Sequence, residues 1–339
     1  MPSSLSHPQR LVAIGASAGG IEALLPLFEA LGGREDLSFL VVLHIPAHTP
    51  THLDQVLAKA TPLRVSQARD GEPIRAGHVY VPPADRHLMV EGERLRLSRG
   101  PKECRMRPAV DVLFRSLAIS AGPRAIGLVL SGMLDDGTAG LWAIKDRGGV
   151  TLVQDPGEAM YPSMPESALR HVEADLIAPV QVLAAELTRL AGLACGKPGK
   201  AELRGLELEN EIAGGGNALE GGVMKLGKQS QYTCPDCHGV LVQIEEGSHV
   251  RFRCHTGHAF STMTLLAEIN ESIDNGLWDA IRALEERLLL LRQVSQLARQ
   301  DNPSHAQQLG HQVRDVERAV KTLRKLVLEP ELFGHAAEQ

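Results

Sequence analysis

Ser17, His44 and Asp136 are side chains whose types and settings could together perform acyl transfer. A serine hydroxyl becomes a nucleophile when an imidazole removes its proton, and the imidazole needs a third group to fix its tautomer and stabilise the imidazolium. Ser17 ends an apolar, strand-like run in Leu11-Val12-Ala13-Ile14-Gly15-Ala16-Ser17-Ala18-Gly19-Gly20 and leads into the amphipathic segment 21–31. The flanking glycines allow a sharp turn, and the amides of the coming helix face any developing oxyanion. His44 closes Phe39-Leu40-Val41-Val42-Leu43, and Gly132-Met133-Leu134-Asp135-Asp136-Gly137 follows the buried run Ile126 to Ser131. Taken singly, Ser17 reads equally as a helix N-cap and Asp136 as part of a solvated turn. Three strand ends on one rim, where open α/β sheets bind ligands, argue for a site. His48, His52, His78 and His87 lack such a position and read as surface or hairpin residues.

A second constellation lies late in the chain. Cys234-Pro235-Asp236-Cys237 is followed, after sixteen intervening residues, by Cys254-His255-Thr256-Gly257-His258. Two ligand pairs on two turns, joined by a hairpin over Val240 to Phe252, can close a tetrahedron around Zn²⁺. The expected ligands are Cys234, Cys237, Cys254 and His258, with His238 and His255 as possible substitutes and a reduced, metal-free turn pair as the alternative. Four protein ligands leave no open position, so such a zinc would be structural or partner-binding. The segment is too small to fold on apolar burial alone.

The elements that must position these residues follow from periodicity. From Leu11 to about Ala178, short apolar runs (Leu11 to Ile14, Phe39 to His44, Ile126 to Ser131, Thr151 to Gln154) alternate with helix-like segments. That pattern predicts an α/β fold with a doubly wound, mainly parallel sheet. His78 to Val81, Leu88 to Val90 and Leu95 to Leu97 read as short β segments, the last two forming an antiparallel hairpin across Glu91 to Arg94, so the sheet is expected to be mixed. Glycine-rich stretches near 196–199, 214–216 and 221–222 predict a linker at 196–230. A zinc-ribbon-like segment at 231–262 and a helical hairpin at 263–330 complete the chain. In the latter, Leu266, Ile269, Ile273, Leu277, Ala280, Ile281, Leu284, Leu288, Leu291 and Val294 recur on one expected face. Asp301-Asn302-Pro303-Ser304 breaks it before Val313, Val316, Val320, Leu323 and Val327. The run Leu288 to Leu291 is wider than one seam, leaving intramolecular packing, self-association or partner docking open.

Bulk properties exclude several classes. At 339 residues two or three units are expected. A net charge of −6 with interspersed signs gives no footprint for nucleic acid or an anionic membrane. No apolar run suits membrane insertion, and residues 1–10 lack a signal-peptide core, so a cytoplasmic protein is expected. Five cysteines, three of them crowded together, fit metal binding better than disulfides.

Two familiar patterns fail on residue order. Gly15-Ala16-Ser17-Ala18-Gly19 matches the nucleophile elbow of α/β-hydrolases, but that fold runs Ser, acid, His along the chain. A dinucleotide-binding loop would need glycine at position 17 and an acid where His44 stands. The sequence instead resembles the catalytic domain of chemotaxis protein-glutamate methylesterases (CheB-type) over roughly residues 8–185, within an expected domain at 8–195. The likeness rests on Ile14 to Gly20, Val41-Val42-Leu43-His44-Ile45-Pro46, Arg107-Pro108-Ala109-Val110-Asp111-Val112-Leu113-Phe114, Leu130 to Gly137, Gln154-Asp155 and Ser163-Met164-Pro165.

The resemblance implies Ser17 as nucleophile, His44 as base and Asp136 as orienting carboxylate, with Met133 lending its amide to the oxyanion. It implies hydrolysis of glutamate γ-methyl esters on a receptor helix, with deamidation of glutamine in some members, and no cofactor for catalysis. Arg107 is a candidate for placing substrate, or else an ion-pair partner within the fold. Ala18 replaces a usual threonine and Leu134 a frequent glycine. Chemotaxis members usually begin with a phosphoacceptor receiver domain, whereas this chain enters the esterase strand by Leu11. Control by other means, and a substrate other than a methylated chemoreceptor, are therefore expected possibilities. The alternative function is a weakly active or inactive signalling adaptor that uses the esterase fold and helical tail as binding surfaces.

Overall fold

The computed structural model describes residues 10–44, 51–197, 199, 204–246 and 249–329. Ile45 and Pro46 of the second motif, His48, and parts of the expected 196–230 and 263–330 segments lie outside them. Two compact units divide after Leu265.

In the first unit the elements run β1 (Arg10–Ala16), α1 (Gly20–Leu31), β2 (Leu37–Leu43), α2 (Leu53–Leu57), β3 (Arg64–Gln67), β4 (His78–Val81), β5 (His87–Glu91), β6 (Arg94–Ser98), α3 (Val110–Ala121), β7 (Ala125–Val129), α4 (Thr138–Asp146), β8 (Val150–Gln154), α5 (Ser163–His171), β9 (Leu176–Ala178) and α6 (Val180–Ala191). Seven strands form one sheet in the order β3-β4-β2-β1-β7-β8-β9, and each adjacent pair is parallel. β1 and β2 are buried along their whole length, the reason they read as unbroken apolar runs. One face packs on α1 and α6 through Leu24, Leu27, Phe28, Leu183 and Leu187. The other packs on α3 and α4 through Leu113, Phe114, Leu117, Leu141 and Ile144. The winding reverses at β1, whose neighbours are β2 and β7, so the crevice of the fold opens at the carboxyl ends of those three strands.

Two sequence expectations change. The sheet is not mixed: the hairpin β5-β6 closes through Glu91 paired with Arg94, but it forms a separate two-stranded sheet. Of the histidines expected at the surface or in a hairpin, His87 does open hairpin strand β5, but both it and His78 are buried. His78 stacks on Tyr80 and meets Ser66, while His87 lies under the approach to α3. β3 was not legible, because its half-exposed, polar sequence carries no alternating apolar signal.

The expected linker is structured over 204–225. α7 (Arg204–Ala213) and α8 (Ala218–Gly221) bury Ile212, Ala218 and Val223 together. The glycines serve as the turn between the helices, Gly215 at φ 98°, and Asn217 caps α8 by accepting from the Leu219 and Glu220 amides. Next, β10 (Lys228–Thr233), β11 (Val240–Glu246), β12 (His249–Cys254) and β13 (Ala259–Ser261) make an antiparallel sheet in chain order.

α9 (Thr262–Asp301) and α10 (Pro303–Val327) follow. In the second unit, Ile281 on α9 and Val316 and Val320 on α10 are buried, and Arg292–Glu317 and Arg324–Glu285 link the helices. The expected single apolar face of α9 is not uniformly covered. Leu266, Ile273 and Val294 stay exposed, together with Leu290 and Leu297. α10 has 25 residues against the 40 of α9, and the pairs Arg292–Glu317 and Arg324–Glu285 set an antiparallel register in which it ends short of Ile273 and Leu266. No helix among the described residues is long and apolar enough to cross a membrane.

Candidate active site

Ser17 sits in the turn between β1 and α1, His44 directly after β2, and Asp136 in the loop from β7 to α4. Parallel register brings these strand ends to one rim, with Gly15 beside both Val42 and Val129. His44 bridges the other two: Nδ1 lies 3.1 Å from Ser17 Oγ and Nε2 lies 2.7 Å from Asp136 Oδ2. Asp136 Oδ2 already accepts from the Val110 amide, so as an acceptor toward His44 it places the proton on Nε2 and leaves the Nδ1 lone pair for the serine. The His44 and Asp136 side chains are 7% and 4% exposed, which keeps water from competing for this link.

Asp136 is held at the start of α3. Its Oδ2 also accepts from the Val110 amide at 2.7 Å and its Oδ1 from the Asp111 amide at 2.9 Å. The first amides of a helix have no partner within it, and a carboxylate there also meets the positive end of the helix dipole. These two amides were not singled out from sequence. Pro108 just before an apolar periodic run was the available signal, since proline favours helix starts. Asp111 is itself buried and accepts from the Gly140 amide at 2.7 Å. Burial and the neighbouring Asp136 carboxylate push its carboxyl well above the usual range.

Close packing explains the motif glycines. A Cβ on Gly132 would come within 2.0 Å of Met164 Sδ and 2.9 Å of Ser17 Cβ, so glycine lets this loop lie against Ser17. Gly19 adopts φ 68°, and a Cβ there would meet Ser131 Oγ. Ser131 links three segments: its hydroxyl donates to Ala18 O and accepts from the Tyr161 amide, while its amide donates to Gln154 Oε1. The Ser17 amide donates to Ser131 O at 3.0 Å and is thereby engaged. Met133 is 36% exposed, and its amide has no hydrogen-bond partner among the described residues. Leu134 stands at φ 62°, a conformation that costs a side-chain-bearing residue about 1 kcal/mol or more. Ser163 Oγ steadies this turn by donating to Leu134 O.

Arg107 is ion-paired within the fold. Its Nε and Nη2 lie 2.8 and 2.7 Å from Asp85 Oδ1, and Nη1 donates to the carbonyls of Gly100 and Arg99. His87 braces the same segment: Nε2–H donates to Pro101 O, and Nδ1 accepts from the Ala109 amide. Burial lowers its basicity, in keeping with a neutral ring.

The Cys/His segment also gathers its side chains. Cys234, Cys237, Cys254 and His258 present ligand atoms within 4.8 Å of one another, whereas His238 and His255 are not in the cluster. Cys237 Sγ is 3.6 Å from Cys254 Sγ, and His258 Nδ1 is 3.7 Å from Cys234 Sγ and 3.6 Å from Cys254 Sγ. A tetrahedral zinc with ordinary bond lengths separates sulfurs by about 3.8 Å and sulfur from nitrogen by about 3.5 Å. The donor set fits.

A family model described as CheB methylesterase matches residues 12–187, more than half of the chain. The chain belongs to the CheB methylesterase family. It is 40% identical over 189 residues to a protein of Xanthomonas campestris pv. campestris named protein-glutamate methylesterase/protein-glutamine glutaminase 1, covering 55% of this chain and 52% of that protein. A protein-glutamate methylesterase/protein-glutamine glutaminase 2 of Methanosarcina acetivorans is 37% identical over 193 residues, covering 55% and 54%. The crystal structure of the Thermotoga maritima CheB methylesterase catalytic domain matches with a TM-score of 0.51 and 30% identity, over 53% of this chain and 98% of that one. This CheB-family chain spans about half the length of the curated relatives it matches. The matched part is the α/β unit that carries Ser17, His44 and Asp136.

Proposed function

We propose that this chain is a serine hydrolase that cleaves glutamyl γ-methyl esters on a protein, with glutamine deamidation as a companion activity. The observation that carries the reading is the single imidazole bridging Ser17 Oγ and a buried carboxylate. His44 Nδ1 takes the serine proton as Oγ attacks the ester carbonyl, and Asp136 stabilises the imidazolium. The Met133 amide is the proposed oxyanion donor, because the Ser17 amide is already bonded to Ser131 O. The imidazolium returns the proton to the departing methoxide, and water hydrolyses the acyl-enzyme by the same relay. With glutamine, ammonia leaves in place of methanol. The names of the relatives include both activities, and CheB methylesterases need no cofactor for catalysis.

A methylated chemoreceptor is the proposed substrate class. The exposed apolar residues of α9 support a role for the helical tail in protein contacts. We further propose that Cys234, Cys237, Cys254 and His258 hold a structural Zn²⁺, which clips β11 and β12 to the turns before and after them. The donor distances above support this, and elemental analysis of protein purified without chelator is expected to find one zinc per chain.

The test of the activity is methanol release from a methyl-esterified receptor or peptide. Native protein is expected to release methanol, and Ser17→Ala to be slower by at least about 10³-fold. Equal rates would rule out serine catalysis.

A further inference from the structure

Asp135 adjoins the catalytic carboxylate in sequence but is turned toward the Cys/His segment. Its Oδ1 accepts from Ser261 Oγ at 2.8 Å and from Thr264 Oγ1 at 3.1 Å. The Thr264 amide donates to Ser261 Oγ at 2.9 Å, and the two hydroxyl oxygens lie 3.0 Å apart, so the three side chains form one hydrogen-bonded cluster. Asp135, Ser261 and Thr264 are all buried, so water does not substitute for either hydroxyl. Ser261 is the last residue of β13, and Thr264 lies in the first turn of α9, 126 and 129 positions along the chain from Asp135.

The loop from Gly132 to Gly137 needs such support. It contains a leucine in the left-handed region, a strained state that persists only when surrounding contacts impose it. Its two ends of chemistry are the Met133 amide and the Asp136 carboxylate, and Asp135 lies between them. The strand that supplies Ser261 is fixed on both sides. β13 pairs with β12, which ends at Cys254, and His258 immediately precedes β13. Cys104 N donates to Ala259 O and Ala259 N to Lys102 O, tying β13 to the segment that leads into α3. Arg253 of β12 reaches Glu103 at 2.9 Å and Glu209 at 2.8 Å in the buried interior.

We propose that Ser261 and Thr264 are positioning residues for the catalytic-acid loop, placed by a zinc ion on Cys234, Cys237, Cys254 and His258. Hydrolysis then depends on a metal that touches no reacting atom. This rests on the esterase reading given above. Reaction rates are sensitive to such support, since a displacement of about 1 Å in a catalytic group can cost on the order of 10²-fold.

The experiment compares the full-length native chain with a Ser261→Ala/Thr264→Val double variant and a hydroxyl-preserving Ser261→Thr/Thr264→Ser double variant. Three readouts are taken: methanol release, fluorophosphonate labelling of Ser17, and amide hydrogen exchange over 132–137. The hydroxyl-free variant is expected to lose roughly tenfold or more in kcat with KM within about twofold. Its labelling should slow and its loop exchange faster, while the hydroxyl-preserving variant recovers toward native values. Native protein stripped of zinc by a chelator, with the loss checked by elemental analysis, should reproduce the faster loop exchange. Native kcat and native loop exchange in the hydroxyl-free variant would overturn the positioning role. Unchanged exchange in zinc-depleted protein, or protein that never held zinc, would overturn the metal link. Failure of the esterase reading looks different: native protein would neither release methanol nor label at Ser17, and loop exchange would still decide whether the hydroxyls hold the loop.

Discussion

At the scale of single residues, the site depends on which nitrogen of one ring carries a proton. Asp136 is fixed by two helix-start amides and faces His44 Nε2, so the lone pair at Nδ1 meets Ser17. Asp136→Asn would keep the size but can present an N–H where an acceptor is required, favouring the wrong tautomer. A fall in kcat of roughly 10³ to 10⁴-fold is expected, with the thermal transition little changed. Kinetics of methanol release measure it. Gly132→Ala tests packing rather than protonation. The added methyl would meet Met164 Sδ and Ser17 Cβ, so a stability loss of about 1–3 kcal/mol in denaturant titration is expected. Activity should fall further than that loss explains, because the displaced neighbour is Ser17, the proposed nucleophile.

At the scale of elements, buried charge joins α3, α7 and β12. Glu103 Oε1 accepts from Arg115 and Arg253 at 2.7 and 2.9 Å, and Glu209 meets Arg251 and Arg253. Burial alone would raise the Glu103 carboxyl, but the paired guanidinium groups of Arg115 and Arg253 outweigh it and hold it at about 2, against 4.5 for an ordinary glutamate. A depressed pKa in the folded state stabilises above the unfolded value. This contribution, on the order of 3 kcal/mol, is therefore complete above about pH 4.5 and is lost as pH falls toward 2. Thermal melts of native protein should drop across that window, and Glu103→Gln should weaken the dependence. At pH 7 the same variant leaves Arg115 and Arg253 poorly compensated, so a loss of roughly 3–5 kcal/mol is expected.

At the scale of the whole molecule, the first unit combines a large α/β core with a small sheet that has little core of its own. The two core clusters flanking the seven-stranded sheet consist of residues of the α/β part, apart from the partly buried Leu206. The four-stranded sheet adds few fully buried apolar side chains, among them Leu241, Val242 and Phe260. Cys254→Ser is expected to abolish zinc retention and to lower the first thermal transition, while far-UV circular dichroism keeps most of its native signal. Elemental analysis and calorimetry check both parts. A native-like transition in a zinc-free variant would count against a structural ion.

Sequence alone determined the class of the fold and singled out the residues proposed to carry the chemistry. Apolar strand runs ending at Ser17, His44 and Asp136 are local features, and burial on both faces of a parallel sheet makes them visible one by one. The ligand spacing of Cys234, Cys237, Cys254 and His258 is likewise local. Tertiary structure alone decided what supports them. That Arg107 pairs with Asp85, whether 204–225 is linker or helix, and which way Asp135 faces depend on partners distant along the chain. No window of neighbouring residues contains such partners, since the hydrogen bonds of Asp135 span more than 120 positions. Leu134 shows the same limit, because its left-handed backbone is imposed by the loop's anchors and runs against the preference of leucine itself.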